Sequence, residues 1–212
     1  MCFDSGSSLL AWSLALSISY YLYHRNRRFD RWNAAFIMTF TLIQLLEAGL
    51  WQTIGPDGVA IQSRRQTNEL LTKMVLLALL LQPLVQSAMA RSYSPSSSSS
   101  SSTLKVLVIM FVAFLAYGFL RVLSASSGQF TTHRGHGGHL IWNDSANSSF
   151  LGGFAVTALY LFGLFAGLAL VQGMSALPLI AIGAATAMYS LATRRRGSLE
   201  VSGVSRAWRM RW

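Results

Sequence analysis

The sequence predicts an all-α integral membrane protein, a bundle of about six transmembrane helices, on three observations. Of its 212 residues, 52% are hydrophobic and only 11% are charged, and mean hydropathy is +0.43. The apolar residues gather into runs near bilayer length instead of alternating with polar ones. Arginines stand in short groups beside those runs: Arg25, Arg27, Arg28 and Arg31; Arg64 and Arg65; Arg194, Arg195 and Arg196. A net charge of +10 would suit nucleic acid, but arginines so placed set membrane orientation and meet anionic headgroups. The expected partner is the lipid bilayer, not nucleic acid.

The first expected span, residues 8–23, is serine-rich and carries Tyr20, Tyr21 and Tyr23 at its end, where aromatic rings favour the headgroup layer. It has no positively charged region before it and is followed by arginines, so it is read as a retained span and not a cleaved signal. The second, 32–53, is bracketed by Trp32 and Trp51 and contains Gln44 and Glu47. Gly55-Pro56-Asp57-Gly58 is a turn. The third span, 69–90, contains Gln82-Pro83 and Gln86, and the serine run that follows marks 91–104 as a disordered loop. The fourth is 106–120, flanked by Lys105 and Arg121. The fifth, 150–171, holds Gly163 and Gly167 at a spacing that lets helices approach closely. The sixth is 176–193, and together these form a bundle over 1–193. A basic tail, 194–212, ends the chain.

Six spans put the N-terminus, the end of the second span, the turn at Gly55 and the loop 133–142 on one side of the membrane. The positive-inside tendency for the first loop, with two glycosylation-type triplets at Asn143 and Asn147, favours an outside N-terminus. The basic tail argues the other way.

Chemistry-bearing residues concentrate on the shared side. His133, His136 and His139 are three of the four histidines, spaced by glycines that allow them to turn toward one ion. The spacing matches no standard zinc pattern, and solvated or helix-capping histidines are the plainer reading. His139 abuts Leu140-Ile141-Trp142 and is expected nearest the membrane surface. Gln44, Glu47 and Trp51 fall on one helix face, and a carboxylate within an apolar span normally points toward a partner or a water-filled cavity. Gln82 and Gln86 share a face of the third span, as amides that join helices do. Cys2 is the one cysteine, so no intrachain disulfide is possible; with the initiator removed it would offer an amine and a thiol to a metal.

Several motifs fall in an order that resembles a domain-of-unknown-function family of small multi-span membrane proteins. Its members begin Met-Cys-Trp/Phe-Ser, as Met1-Cys2-Phe3 does here, with Ser5 and Ser8 close behind. The late acid and glutamine of its second span are similar to Gln44, Glu47 and Trp51, its Gln-Pro to Gln82-Pro83, and its Gly-x-His-Leu-x-Trp loop to Gly137, His139, Leu140 and Trp142. The likeness reaches to about residue 190. Asp4 stands where the family has serine, and the charged stretch after Gly197 replaces the family's last span with its Trp-Cys pair. The resemblance implies a relation to a seven-helix plan and supports the choice of residues, without implying a reaction.

The leading expectation is a small-molecule or ion site for transport or sensing, lined by Gln44, Glu47, Trp51 and Gln82, with His139 and Trp142 over its mouth. A metal-dependent membrane hydrolase or oxidoreductase is the alternative, with His136, His139, Glu47 and Cys2 as ligands of a divalent transition metal. A structural subunit of a membrane complex, or a homo-oligomer, is the third.

Overall fold

A computed structural model describes residues 4–95, 99–135, 138–144 and 154–172, together with position 181. Among these residues the chain is mostly helical, in the order α1 (Ser5–Arg25), α2 (Asp30–Trp51), α3 (Arg65–Tyr93), α4 (Ser99–Leu123), β1 (Phe130–Arg134), β2 (Leu140–Asp144) and α5 (Phe154–Gln172). Cys2, His136, the expected sixth span and the basic tail lie outside the described residues.

Helix α1 opens on a capping box. The Asp4 carboxylate accepts the Ser7 amide at 2.7 Å, and the Asp4 amide donates to the Ser7 hydroxyl. It closes on Asn26 in the left-handed conformation. Ser8 and Ser19 are buried and Ala11 and Ala15 are half-buried, so a narrow strip of small residues faces α2. Such a strip lets backbones approach. Serine hydroxyls then reach across, from Ser5 to the Ala48 carbonyl (3.4 Å) and from Ser19 to the Ala34 carbonyl (3.3 Å). These two contacts make α1 and α2 antiparallel neighbours.

Helices α2 and α3 are pinned at both ends by polar side chains. The Trp32 indole N–H donates to the Gln86 carbonyl oxygen (2.7 Å) at one end, and the Asn68 amide donates to Thr53 (2.8 Å) at the other. Between them lies an apolar core of Ile43, Leu46, Leu50, Val75 and Ala78. Helix α4 buries only a narrow stripe, Leu104, Leu107, Phe111 and Val122. Val122 meets Leu76 and Phe130 in a second small core.

Helix α5 crosses α3 where both are thin. A side chain at Gly163 would collide with the Phe111 ring and Pro83, and one at Gly167 would press on Ala90 and the Gln86 carbonyl. The Tyr160 hydroxyl donates to Gln82 beside this crossing. The glycine pair therefore serves the close approach its spacing suggests.

Beside its apolar core the bundle also has large apolar side chains on its outside and polar ones within. Leu10, Leu14 and Ile18 on α1, Val106, Ile109 and Leu120 on α4 and Phe162 on α5 are each more than half exposed, while Glu47, Thr72, Gln82 and Gln86 are almost completely buried. Among the described residues, three helices, Asp30–Trp51, Gln62–Tyr93 and Ser100–Leu123, are long and apolar enough to cross a membrane, and Ala158–Val171 is a shorter apolar helix.

Two expectations need correction. The stretch 91–104 is not wholly a loop: α3 runs to Tyr93, and α4 already includes Ser99 to Thr103. Serine is tolerated in a first helical turn, where its hydroxyl can serve otherwise free backbone groups. The all-α class also omits an antiparallel hairpin, with Phe130 opposite Asp144 and Arg134 opposite Leu140. Phe130-Thr131-Thr132 and Leu140-Ile141-Trp142, separated by glycines, carry the composition of two strands and a turn.

The Gly163 crossing predicts that Gly163→Val costs about 1–3 kcal/mol through overpacking. Thermal unfolding of the detergent-purified variant checks it, beside Phe162→Val on the exposed face of α5, which should unfold as the native protein does.

Candidate functional site beneath the hairpin

The side shared by the N-terminus, the first long loop and the histidine segment is built by backbone turns. After α2, the Gly55 amide donates to the Val59 carbonyl (2.8 Å) and the Ile61 amide to the Thr53 carbonyl (2.9 Å), folding 53–61 back on itself. Gly58 sits at φ +82°, where a β-carbon would be strained, and its carbonyl accepts the Arg134 amide at 2.7 Å. The Arg134 guanidinium reaches the Pro56 carbonyl (2.6 Å). The hairpin end is thereby tied to this turn.

The stronger tie is Asn68, in the first turn of α3. Its amide oxygen accepts the Thr132 N–H (2.9 Å) and its amide nitrogen donates to the Thr132 carbonyl (3.2 Å), so one side chain pairs with β1 as a neighbouring strand residue would. The same nitrogen donates to Thr53, and the Thr72 and Thr132 hydroxyls lie 2.7 Å apart. All four residues are at most 2% exposed. Next to them, the Glu69 carboxylate accepts the Gly128 amide (2.8 Å) and pairs with Lys73 (2.8 Å), fixing the turn that feeds β1.

With β1 held, β2 lies over the end of α2. Leu140 enters the core formed by Ile43, Leu46, Leu50, Val75 and Ala78, and Trp142 and Trp51 both pack against that core. Gln44, Glu47 and Trp51 follow one face of α2 at i, i+3 and i+7. Glu47 is 2% exposed, and Gln44 is half-buried. The Glu47 Oε2, the Trp51 Nε1 and the Trp142 Nε1 are all buried without a hydrogen-bond partner. Neither of the ion pairs among the described residues involves Glu47. An unpaired carboxylate oxygen and two unpaired indole donors at one end of the bundle are costly unless something else satisfies them.

Gln82 does not join this group. Counting from the Asn68–Thr53 contact, the level of Glu47 on α3 falls near Met74, and Gln82 lies roughly 12 Å farther along the axis at 1.5 Å per residue. Its oxygen is taken by Tyr160 and that of Gln86 by Trp32, while both side-chain nitrogens are buried without a partner. Both glutamines join helices, which is the packing role such amides commonly have.

The histidines separate as well. His133 lines a cavity of about 340 Å³ together with Val59, Ala60, Gln62, Arg65, Thr131 and Thr132. His139 lies in the hairpin turn, half-buried, with its carbonyl accepting the Gly135 amide (2.8 Å). Among the described residues no three histidine, cysteine or acidic side chains are placed to hold a metal ion. His136 and Cys2, the other two expected ligands, lie outside them.

The residues that sequence reasoning passed over are Asn68, Thr72 and Thr132. Asn68 and Thr72 share a face at i, i+4 at the start of an apolar run, a signal resembling that of Gln82 and Gln86. Their partner is more than fifty residues away and cannot be read from spacing.

No protein family, curated protein or solved structure matches this chain, so the chemistry of the site rests on its own residues.

Two outcomes follow. Asn68→Ala strands the Thr132 N–H and carbonyl in a buried place and should cost roughly 3 kcal/mol, and Asn68→Asp should cost at least as much because it sets a buried carboxylate against the Thr132 carbonyl. Denaturant unfolding in detergent checks it. Burial lowers the His133 pKa below the ordinary value near 6.5, so the unfolded chain takes up the proton first. Stability present above that value is therefore lost as pH falls from about 6.5 through the folded pKa. Unfolding midpoints across that window should show less pH dependence in His133→Gln.

Proposed function

We propose that this chain is a multi-pass integral membrane protein, of about six spans within a plan related to a seven-span one, that binds a small molecule or ion for transport or sensing. The binding group is Glu47, with Gln44 and Trp51 on its helix face and Trp142 supplied by the hairpin. What supports the membrane assignment is the exposure of large apolar side chains together with the burial of amides, hydroxyls and a carboxylate. The single observation that carries the binding reading is the set of three buried, unpartnered polar atoms on Glu47, Trp51 and Trp142.

Their chemistry selects the ligand. A carboxylate oxygen accepts a proton donor or approaches a cation, and each indole N–H donates to a lone pair. Indole faces also attract cations. A small polar molecule carrying both a donor and an acceptor, or a desolvated cation, completes the set. The hairpin covers the group and keeps bulk water from competing with that ligand. Gln82 is left out, because its level in the bundle and its bond to Tyr160 give it a packing role.

Thermal-shift screening of the purified protein against inorganic cations, organic amines and small polar solutes tests this. A ligand that stabilises the native protein should bind at least tenfold more weakly to Glu47→Gln and several-fold more weakly to Trp142→Phe, each partner group contributing on the order of 1–3 kcal/mol. His139→Ala should weaken it less, since His139 lies in the turn and not against the core. Undiminished binding or uptake in Glu47→Gln would overturn the reading.

A further inference from the structure

The opposite end of the bundle carries a second surface, independent of the Glu47 group. There the turn between α1 and α2 is locked by one acid. The Asp30 carboxylate takes the Arg25 guanidinium in a two-pronged contact (2.7 Å to Nε and 2.7 Å to Nη2) and also accepts the Arg27 amide (2.8 Å). Asn26 and Phe29 both hold positive φ in this turn, at 51° and 70°. A non-glycine residue adopts that conformation where its surroundings fix it. Here the Asp30 bonds fix one side. On the other, Phe29 packs with Trp32 and Tyr93, bringing the end of α3 and its Arg91 alongside.

Asp30 is the one acid at this end among the described residues, and Arg25 consumes it. Arg27, Arg28 and Arg31 are exposed within about one helical turn of each other and none forms an ion pair among the described residues, although the Arg27 charge still acts on Asp30. Two of them are oriented by aromatic rings. The Arg28 guanidinium lies over the Phe29 ring at 4.9 Å and the Arg31 guanidinium over the Tyr23 ring at 5.5 Å. Stacking on a ring orients the fork and leaves its N–H edge available to a planar or tetrahedral oxyanion.

What lies beside the arginines decides the source of that oxyanion. Tyr20, Tyr21 and Tyr23 are each more than half exposed, and the same outward face of α1 continues through Ile18, Leu14 and Leu10. Aromatic rings with a polar tip below a cationic layer and above an apolar face match the order of a bilayer leaflet: headgroup phosphate, interface, hydrocarbon. A free phosphate or a nucleic acid has no use for the apolar continuation.

We propose that the α1–α2 turn is a docking surface for anionic phospholipid headgroups, with Arg27, Arg28 and Arg31 contacting phosphate and Tyr20, Tyr21 and Tyr23 seating at the interface below. By the positive-inside tendency, this leaflet is the cytosolic one. The hairpin and the Glu47 group then face the opposite compartment.

The test uses the full chain in nanodiscs of equal parts phosphatidylcholine and phosphatidylglycerol, with the lipids retained on mild detergent extraction counted by native mass spectrometry. Phosphatidylglycerol should be enriched in the native protein, and its retention should fall roughly fivefold per arginine replaced in Arg27→Gln, Arg28→Gln and Arg31→Gln combinations. The corresponding lysine variants keep the charge and should retain most of the preference. Should the triple glutamine variant not fold, the native protein still decides, because headgroup enrichment through exposed arginines must weaken as salt is raised. Equal retention of the two lipids, a preference indifferent to salt, or an unchanged preference in the folded triple variant would overturn the proposal. Displacement of the lipid by inorganic phosphate at matched ionic strength would assign the site to a free anion instead, and overturn it too.

Discussion

One side-chain amide holds the hairpin end of this protein together. A strand that leaves its sheet partner on one edge exposes backbone donors and acceptors, and in an apolar setting these must be paired. Asn68 pairs them by offering β1 the same donor and acceptor that a neighbouring strand would, while its nitrogen also reaches Thr53 at the end of α2. Helix α2, helix α3 and the hairpin therefore meet at one residue that is fully buried. Removing its amide leaves the strand edge unpaired and the hairpin without its main polar attachment.

The placement of the hairpin brings a second tryptophan to the core at the end of α2. Leu140 fills the apolar core between α2 and α3, and Trp142, two residues on and on the same strand face, is carried to the same core as Trp51. A loop of the same composition, free in water, would bury none of these atoms. The Glu47 carboxylate oxygen and the two indole nitrogens are buried at this end without hydrogen-bond partners.

The two ends of the bundle are chemically different. At the hairpin end, Glu69 holds a backbone amide and Lys73, and Arg134 reaches a backbone carbonyl, while Arg64, Arg65 and Arg134 are themselves exposed. At the α1–α2 turn, the single acid is spent on Arg25 and three arginines remain outward.

The apolar runs, their flanking arginines and the Gln44–Glu47–Trp51 face were legible in the sequence because they depend on local order and helical period alone. The glycine pair at 163 and 167 was legible for the same reason, since its spacing states a need for close approach whatever the partner. The strand pair was written in Phe130-Thr131-Thr132 and Leu140-Ile141-Trp142, but glycine and histidine between them read equally well as an open loop. What spacing could not give was depth and pairing across the chain. Gln82 looked like a lining residue from its chemistry, and only the antiparallel register of α2 and α3 sets it well away from Glu47 and beside Tyr160. Asn68 looked like an ordinary polar residue at a helix start, and only its meeting with Thr132 makes it the clamp. Local sequence thus determined which segments are helical and which faces are polar, since those follow from the backbone period. Tertiary structure decided which polar atoms meet and which stay unpaired, because that depends on partners more than fifty residues apart.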